Sequence, residues 1–123
     1  MIALWISLAG GLGAVVRFFV DAEVKTRLVA RTSFPWATVG INVSGSFLLG
    51  LLAGWVTFRA GSTDVQAVIG TGFCGGYTTF STASIETVRL LQQGRRRDAA
   101  VNAIVSLLAS VLACGGGLAL ASM

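Results

Sequence analysis

The sequence predicts an all-α integral membrane protein with four transmembrane helices, the third broken near its centre. Three observations carry this. Hydrophobic residues make up 54% of the 123 and charged residues only 11%, and the mean hydropathy is +0.81, more apolar than a soluble domain of this size can bury. The apolar residues fall into four runs: Ile2 to Val20, Pro35 to Phe58, Val65 to Leu91 and Ala99 to Ser122. Each is long enough to cross about 30 Å of hydrocarbon as a helix of roughly 20 residues. Finally, the third run holds a glycine- and hydroxyl-rich stretch, GFCGGYTTFSTAS, from Gly72 to Ser84.

The first run has no basic stretch ahead of it and is interrupted by Arg17, so it reads as a retained span rather than a secretory leader. Gly10, Gly11 and Gly13 mark it for close helix packing. Its connection to the second run, Asp21 to Phe34, carries the bases Lys25, Arg27 and Arg31. The second run places Thr38, Asn42 and Ser46 at successive i+4 steps and therefore on one helical face. A hydroxyl or amide facing lipid lacks partners, so this stripe turns toward another helix or a wet cavity. A hydroxyl can bond back to its own helix, whereas the Asn42 amide has two donor hydrogens and an acceptor, more than a helix backbone satisfies. Asn42 is thus a pore or binding candidate. Arg59 to Asp64 connects to the third run.

In the third run Gly70, Gly72, Gly75 and Gly76 precede Thr78 and Thr79. So many poor helix formers predict a break near residues 74 to 79. Backbone groups freed at bilayer depth are tolerated only in protein, against water or against an ion, which is why discontinuous helices mark ion sites. Beyond the break Phe80, Ala83, Ser84 and Thr87 share a face, flanked by Ser81 and Thr82. The last connection, Gln92 to Asp98, contains the run Arg95, Arg96 and Arg97, and the fourth span carries a second polar stripe, Asn102, Ser106 and Ser110.

Composition excludes several functions. There is no histidine, and the carboxylates are Asp21, Glu23, Asp64, Glu86 and Asp98 alone, which leaves little material for metal centres or acid–base pairs. The chain is not expected to be an enzyme. Cys74 and Cys114 sit in apolar runs without ligand spacing and read as packing residues. The net charge of +4 comes from bases beside apolar runs, where headgroups and topology explain them better than nucleic acid. Residues 1–123 form a single four-helix unit with no internal repeat, so inverted symmetry would require a second chain.

The segments GGLGAVVRF, TVGINVSGSFLLG and GTGFCGGYTTFSTASIE together resemble the small fluoride channels called Fluc or CrcB, over nearly the whole chain. The resemblance implies an antiparallel dimer of four-helix subunits in the cell membrane, here a bacterial inner membrane. Two narrow pores would lie at the subunit interface, with a buried structural sodium ion where the broken helices cross. It implies a fluoride pathway through Asn42, Phe80, Ser81, Thr82 and Ser110, with Thr38 on the Asn42 stripe and Glu86 near the pore mouth. The sodium would be held by backbone carbonyls of Gly75 and Thr78, and Arg17 matches a basic residue at the end of the first helix. Passive conduction is expected, since nothing resembles a nucleotide site. Arg17 and Asp21 are also spaced for an i+4 ion pair.

Two features depart from that family. Where its core continues TTFSTFS, this chain reads TTFSTAS, with Ala83 in place of the second phenylalanine. In a four-span arrangement Lys25, Arg27, Arg31, Arg95, Arg96 and Arg97 lie on one side against Arg59 on the other, a bias that fixes orientation. The antiparallel partner is therefore either a second copy or a homologous subunit of opposite bias. A small multidrug-type transporter is the alternative by size, but it requires a carboxylate in the first span, which has none. A non-conducting partner subunit of a fluoride channel is the other.

Overall fold

The computed structural model describes residues 1–28 and 30–123. Val29, in the first predicted connection, lies outside the described residues. The chain is helical from end to end: α1 (Ile2–Leu28), α2 (Trp36–Arg59), a composite α3 over residues 63–77, α4 (Phe80–Gln92) and α5 (Arg96–Ser122). Helices α1, α2 and α5 are each long and apolar enough to cross a membrane. Helices α3 and α4 together form the third span, bent between them.

Helix α1 runs well past the predicted end at Val20. Its last two turns are charged, which the hydropathy reading took for a loop, but they are spaced for helix. Asp21 pairs with Lys25 at 2.8 Å and Glu23 pairs with Arg27, both at i,i+4, an arrangement that supports a helix leaving the bilayer. The expected Arg17–Asp21 pair is replaced by Asp21–Lys25, because the lysine one turn further on reaches the same carboxylate.

Helix α3 begins at Ser62, whose hydroxyl accepts from the Val65 N–H, and continues through wide π-type turns over Gln66–Cys74. It lies against α1 at backbone distance. A Cβ at Gly76 would strike the Gly10 carbonyl of α1, so only glycine fits there. The glycine cluster is therefore a packing device, and Gly75 itself keeps helical dihedrals, φ −62° and ψ −39°. The chain leaves the helix at the two threonines: Thr78 has ψ 159°, and Thr79 has φ −149° and ψ 122°. Extended backbone suits β-branched residues. The break falls within the predicted residues 74 to 79, at their far end.

Helices α2 and α5 pack along most of their length, and Arg59 at the end of α2 donates to the Ala121 carbonyl near the end of α5. The outer faces are apolar: Leu4, Leu8, Leu12 and Phe18 on α1, and Ile104, Leu108 and Leu112 on α5, are all exposed, as lipid-facing side chains are. Trp5 and Trp55 are exposed toward one end of the bundle and Trp36 at the other, the placement of interfacial aromatic belts. The Trp36 end also carries Lys25, Arg27, Arg31, Arg89, Arg95, Arg96 and Arg97, while Arg59 and Asp64 flank the α2–α3 connection at the other end.

Candidate functional site

The break creates the site. Asn42 on α2 meets it edge-on: its Oδ1 accepts the Thr79 N–H at 2.8 Å and its Nδ2 donates to the Thr79 carbonyl at 2.9 Å. One carboxamide thus replaces the bond that the Thr79 N–H loses on leaving the helix and adds a donor to the Thr79 carbonyl, which as the cap residue already accepts the first bond of α4. The second Nδ2 hydrogen remains. Close approach is possible because Gly45, one turn along α2, is buried beneath Thr78; a Cβ there would collide with the Thr78 methyl group. Helix α4 then restarts with its own cap, the Thr79 hydroxyl accepting from the Thr82 N–H at 3.1 Å.

These two substitutions leave specific acceptors bare. In an unbroken helix the Thr79 and Thr82 N–H groups would donate to the Gly75 and Thr78 carbonyls. Here they are taken by Asn42 Oδ1 and Thr79 Oγ1.

Alongside the break runs a groove of about 610 Å³ between α2, α4 and α5. Asn42 and Ser46 line it from α2, Phe80, Ala83, Ser84 and Thr87 from α4, and Asn102, Ser106 and Ser110 from α5. Asn42 and Ser46 of the first predicted polar stripe, the whole of the second and the predicted α4 face thus meet in one cleft, and among the described residues no charged side chain lines it. Phe80 stands at its edge, 88% exposed. The Ser110 Oγ is buried without a hydrogen-bond partner.

Other predicted residues lie elsewhere. Ser81 points outward, and Thr82 serves the cap rather than the groove. Thr38 is fully buried outside the groove lining, its hydroxyl facing the Glu86 carboxyl. Glu86 lines a separate cavity of about 320 Å³ at the basic end, among Lys25, Thr32, Trp36 and Arg89. Its Oε1 lies 3.8 Å from Lys25 Nζ, and its carboxyl faces the buried Thr38 hydroxyl.

Asn102 was legible only as a member of a stripe, yet it is the most enclosed polar group of the cleft. It is 1% exposed and donates to Thr87 Oγ1 at 2.9 Å. Nothing in its spacing separates it from Ser106; the carboxamide was the available signal, as it was for Asn42.

The profile of the family described as CrcB-like protein, Camphor Resistance (CrcB), matches residues 4–118. The chain belongs to the CrcB-like family. Among its relatives, the fluoride-specific ion channel FluC 2 of Cutibacterium acnes is 46% identical over 123 residues, covering 99% of this chain and 98% of that protein. The fluoride-specific ion channel FluC 1 of Leifsonia xyli subsp. xyli is 44% identical over 118 residues, covering 96% and 85%. FluC of Novosphingobium aromaticivorans, likewise a fluoride-specific ion channel, is 40% identical over 107 residues, covering 87% and 85%. The CrcB-like assignment takes in all five helices, the break and the groove, and makes this a multi-pass membrane protein of a non-enzymatic family.

Proposed function

We propose that the chain is a subunit of a passive, fluoride-selective channel and that the groove is one wall of its pathway. The carrying observation is a cleft at a helix break that offers a free Asn42 amide hydrogen, the unpartnered Ser110 hydroxyl and the edge of Phe80, with no charged side chain. Fluoride is small and strongly hydrated. Neutral donors can replace its water without the full charge that would trap it, and a phenylalanine edge is weakly positive. Names and close similarity of the FluC relatives support the same ion. Ser81, Thr82, Thr38 and Glu86 enter this reading as pathway residues beyond the groove, with Glu86 at the basic mouth.

The open side of the groove calls for a second subunit. Phe80 is almost fully exposed, and a side chain at Gly75 would meet nothing within its own chain. Both belong at the interface of an antiparallel dimer. A structural sodium fits there as well, because the Gly75 and Thr78 carbonyls have lost their helical donors and hard cations prefer such oxygens. When bound, the ion would satisfy those carbonyls and add positive potential beside the pathway.

The partner is a homologous subunit of opposite charge bias. Seven bases at the Trp36 end against Arg59 at the other orient this chain with the Trp36 end cytoplasmic and both termini outside. An antiparallel dimer needs both orientations, and a partner with an intact pair of phenylalanines would compensate for Ala83.

Passive fluoride efflux from liposomes tests the channel. Asn42→Ala and Phe80→Ala proteins that still assemble should lose it, chloride flux being negligible throughout; unchanged efflux in both overturns the pathway. Cysteine accessibility at the 92–98 connection and the C-terminus in whole cells tests the pairing. A single orientation is expected; mixed orientation together with full flux from this chain alone removes the need for a partner.

A further inference from the structure

Helix α4 has one buried residue, Leu90 near its end, and packs against α5 between the Asn42 clamp and Leu90. At the middle of that contact sits a polar group, Asn102, where an apolar side chain would pack as well without the desolvation of a carboxamide. Its hydrogen bonds show what the amide does. Nδ2 donates to Thr87 Oγ1 at 2.9 Å and, at 3.5 Å, faces the Ala83 carbonyl. The opposite amide orientation would set Oδ1 against that carbonyl, two acceptors facing each other, so the orientation is fixed. Thr87, accepting from Asn102, gives its own proton to the Ala83 carbonyl at 2.9 Å. On the other side Oδ1 accepts only, so Ser106, at 3.5 Å, turns its proton toward Asn102.

We infer that Asn102 is a positioning residue of the pathway: it turns the Ser106 proton into the protein and occupies the Thr87 oxygen, and thereby decides which donors the groove offers an anion. Of the hydroxyls on the α5 stripe, Ser110 alone keeps a proton without a partner. Without the carboxamide, Ser106 would be free to present its hydroxyl to chloride and water as well as to fluoride, and Thr87, still bonded to the Ala83 carbonyl, would lose the donor that its oxygen accepts. This rests on the fluoride-channel reading.

The test is fluoride and chloride flux from liposomes for Asn102→Leu, Thr87→Val and the double variant, each confirmed as assembled, beside the wild-type chain and Asn42→Ala. Asn102→Leu should lower fluoride flux about fivefold, the scale of one net hydrogen bond, and narrow the fluoride-to-chloride ratio. A purely structural staple would change flux without changing that ratio. Thr87→Val, nearly isosteric, removes the acceptor that holds the Asn102 amide and so should reproduce part of the effect even if Asn102→Leu fails to assemble, and the double variant should be no worse than the worse single one. Wild-type selectivity retained in Thr87→Val and in any assembled Asn102→Leu protein overturns the inference, as does a double variant whose losses multiply. Wild-type vesicles that conduct no fluoride, whether made with this chain alone or with its homologous partner subunit, would instead bring down the channel reading, and the inference with it.

Discussion

The two halves of the third span are held by different forces. Helix α3 is pressed against α1 backbone to backbone, with Gly76 over the Gly10 carbonyl and Gly72 over the Ile6 carbonyl. Helix α4 is held by discrete polar contacts: the Asn42 amide at its start, the Thr79 cap beside it and Asn102 at its middle. Close packing tolerates no adjustment. Hydrogen bonds between side chain and backbone set direction, and they set it where α4 lines the groove. The closely packed half thus serves as a base on which the other half is aimed.

The sharpest break of that comparison uses neighbouring glycines. Gly76→Val drives a branched side chain into α1 and should abolish recovery of monodisperse protein, the expected result of overpacking where backbone leaves no room. Gly75→Val, one residue earlier, meets open space within its own chain. The subunit should fold, and the loss should appear in dimerisation or flux, read by size-exclusion chromatography and fluoride efflux. If both variants behave alike, the distinction between an inward and an outward glycine is wrong.

A smaller effect is expected on the α4 side. Thr79→Ala removes the cap and leaves the Thr82 N–H without its acceptor, which costs about 1 kcal/mol. The melting temperature in detergent should fall modestly while the protein still assembles, since Asn42 binds only the Thr79 backbone and survives the change. Flux should fall with it, because the cap sets the first turn of α4 beside Phe80. Collapse of the protein would mean that α4 is as rigidly seated as α3.

Much of this contrast was legible in the sequence, and the limits have physical causes. The four spans followed from hydropathy and the break from crowded poor helix formers. Which of those residues would bend was not legible: glycine permits a bend and also permits close approach, and only the presence of α1 decides that Gly76 does the second. The i+4 rule placed Thr38, Asn42 and Ser46 on one face, and the structure keeps them there. Spacing gives direction around a helix but not what lies opposite at each level, so it did not show that Thr38 is covered while Asn42 and Ser46 reach the groove. The charged end of α1 was misplaced because hydropathy marks where a helix leaves lipid, not where it stops.

That end of α1 supplies the finest test of how α4 is held. Glu23 and Arg27 pair only with each other on one exposed helix face, with side chains 62% and 76% exposed, so Glu23→Gln should shift stability by no more than about 0.5 kcal/mol. Lys25 differs in what it faces. It pairs with Asp21 and also lies 3.8 Å from Glu86 on α4, whose side chain is 12% exposed. A carboxylate that enclosed is screened less than a surface one, so losing its nearest base is felt more. Lys25→Gln should therefore lower the melting temperature more than Glu23→Gln, and the gap should persist as salt is raised. Equal, negligible shifts in the two variants would mean that the far end of α4 is seated by Leu90 packing alone and that polar attachment stops at Asn102.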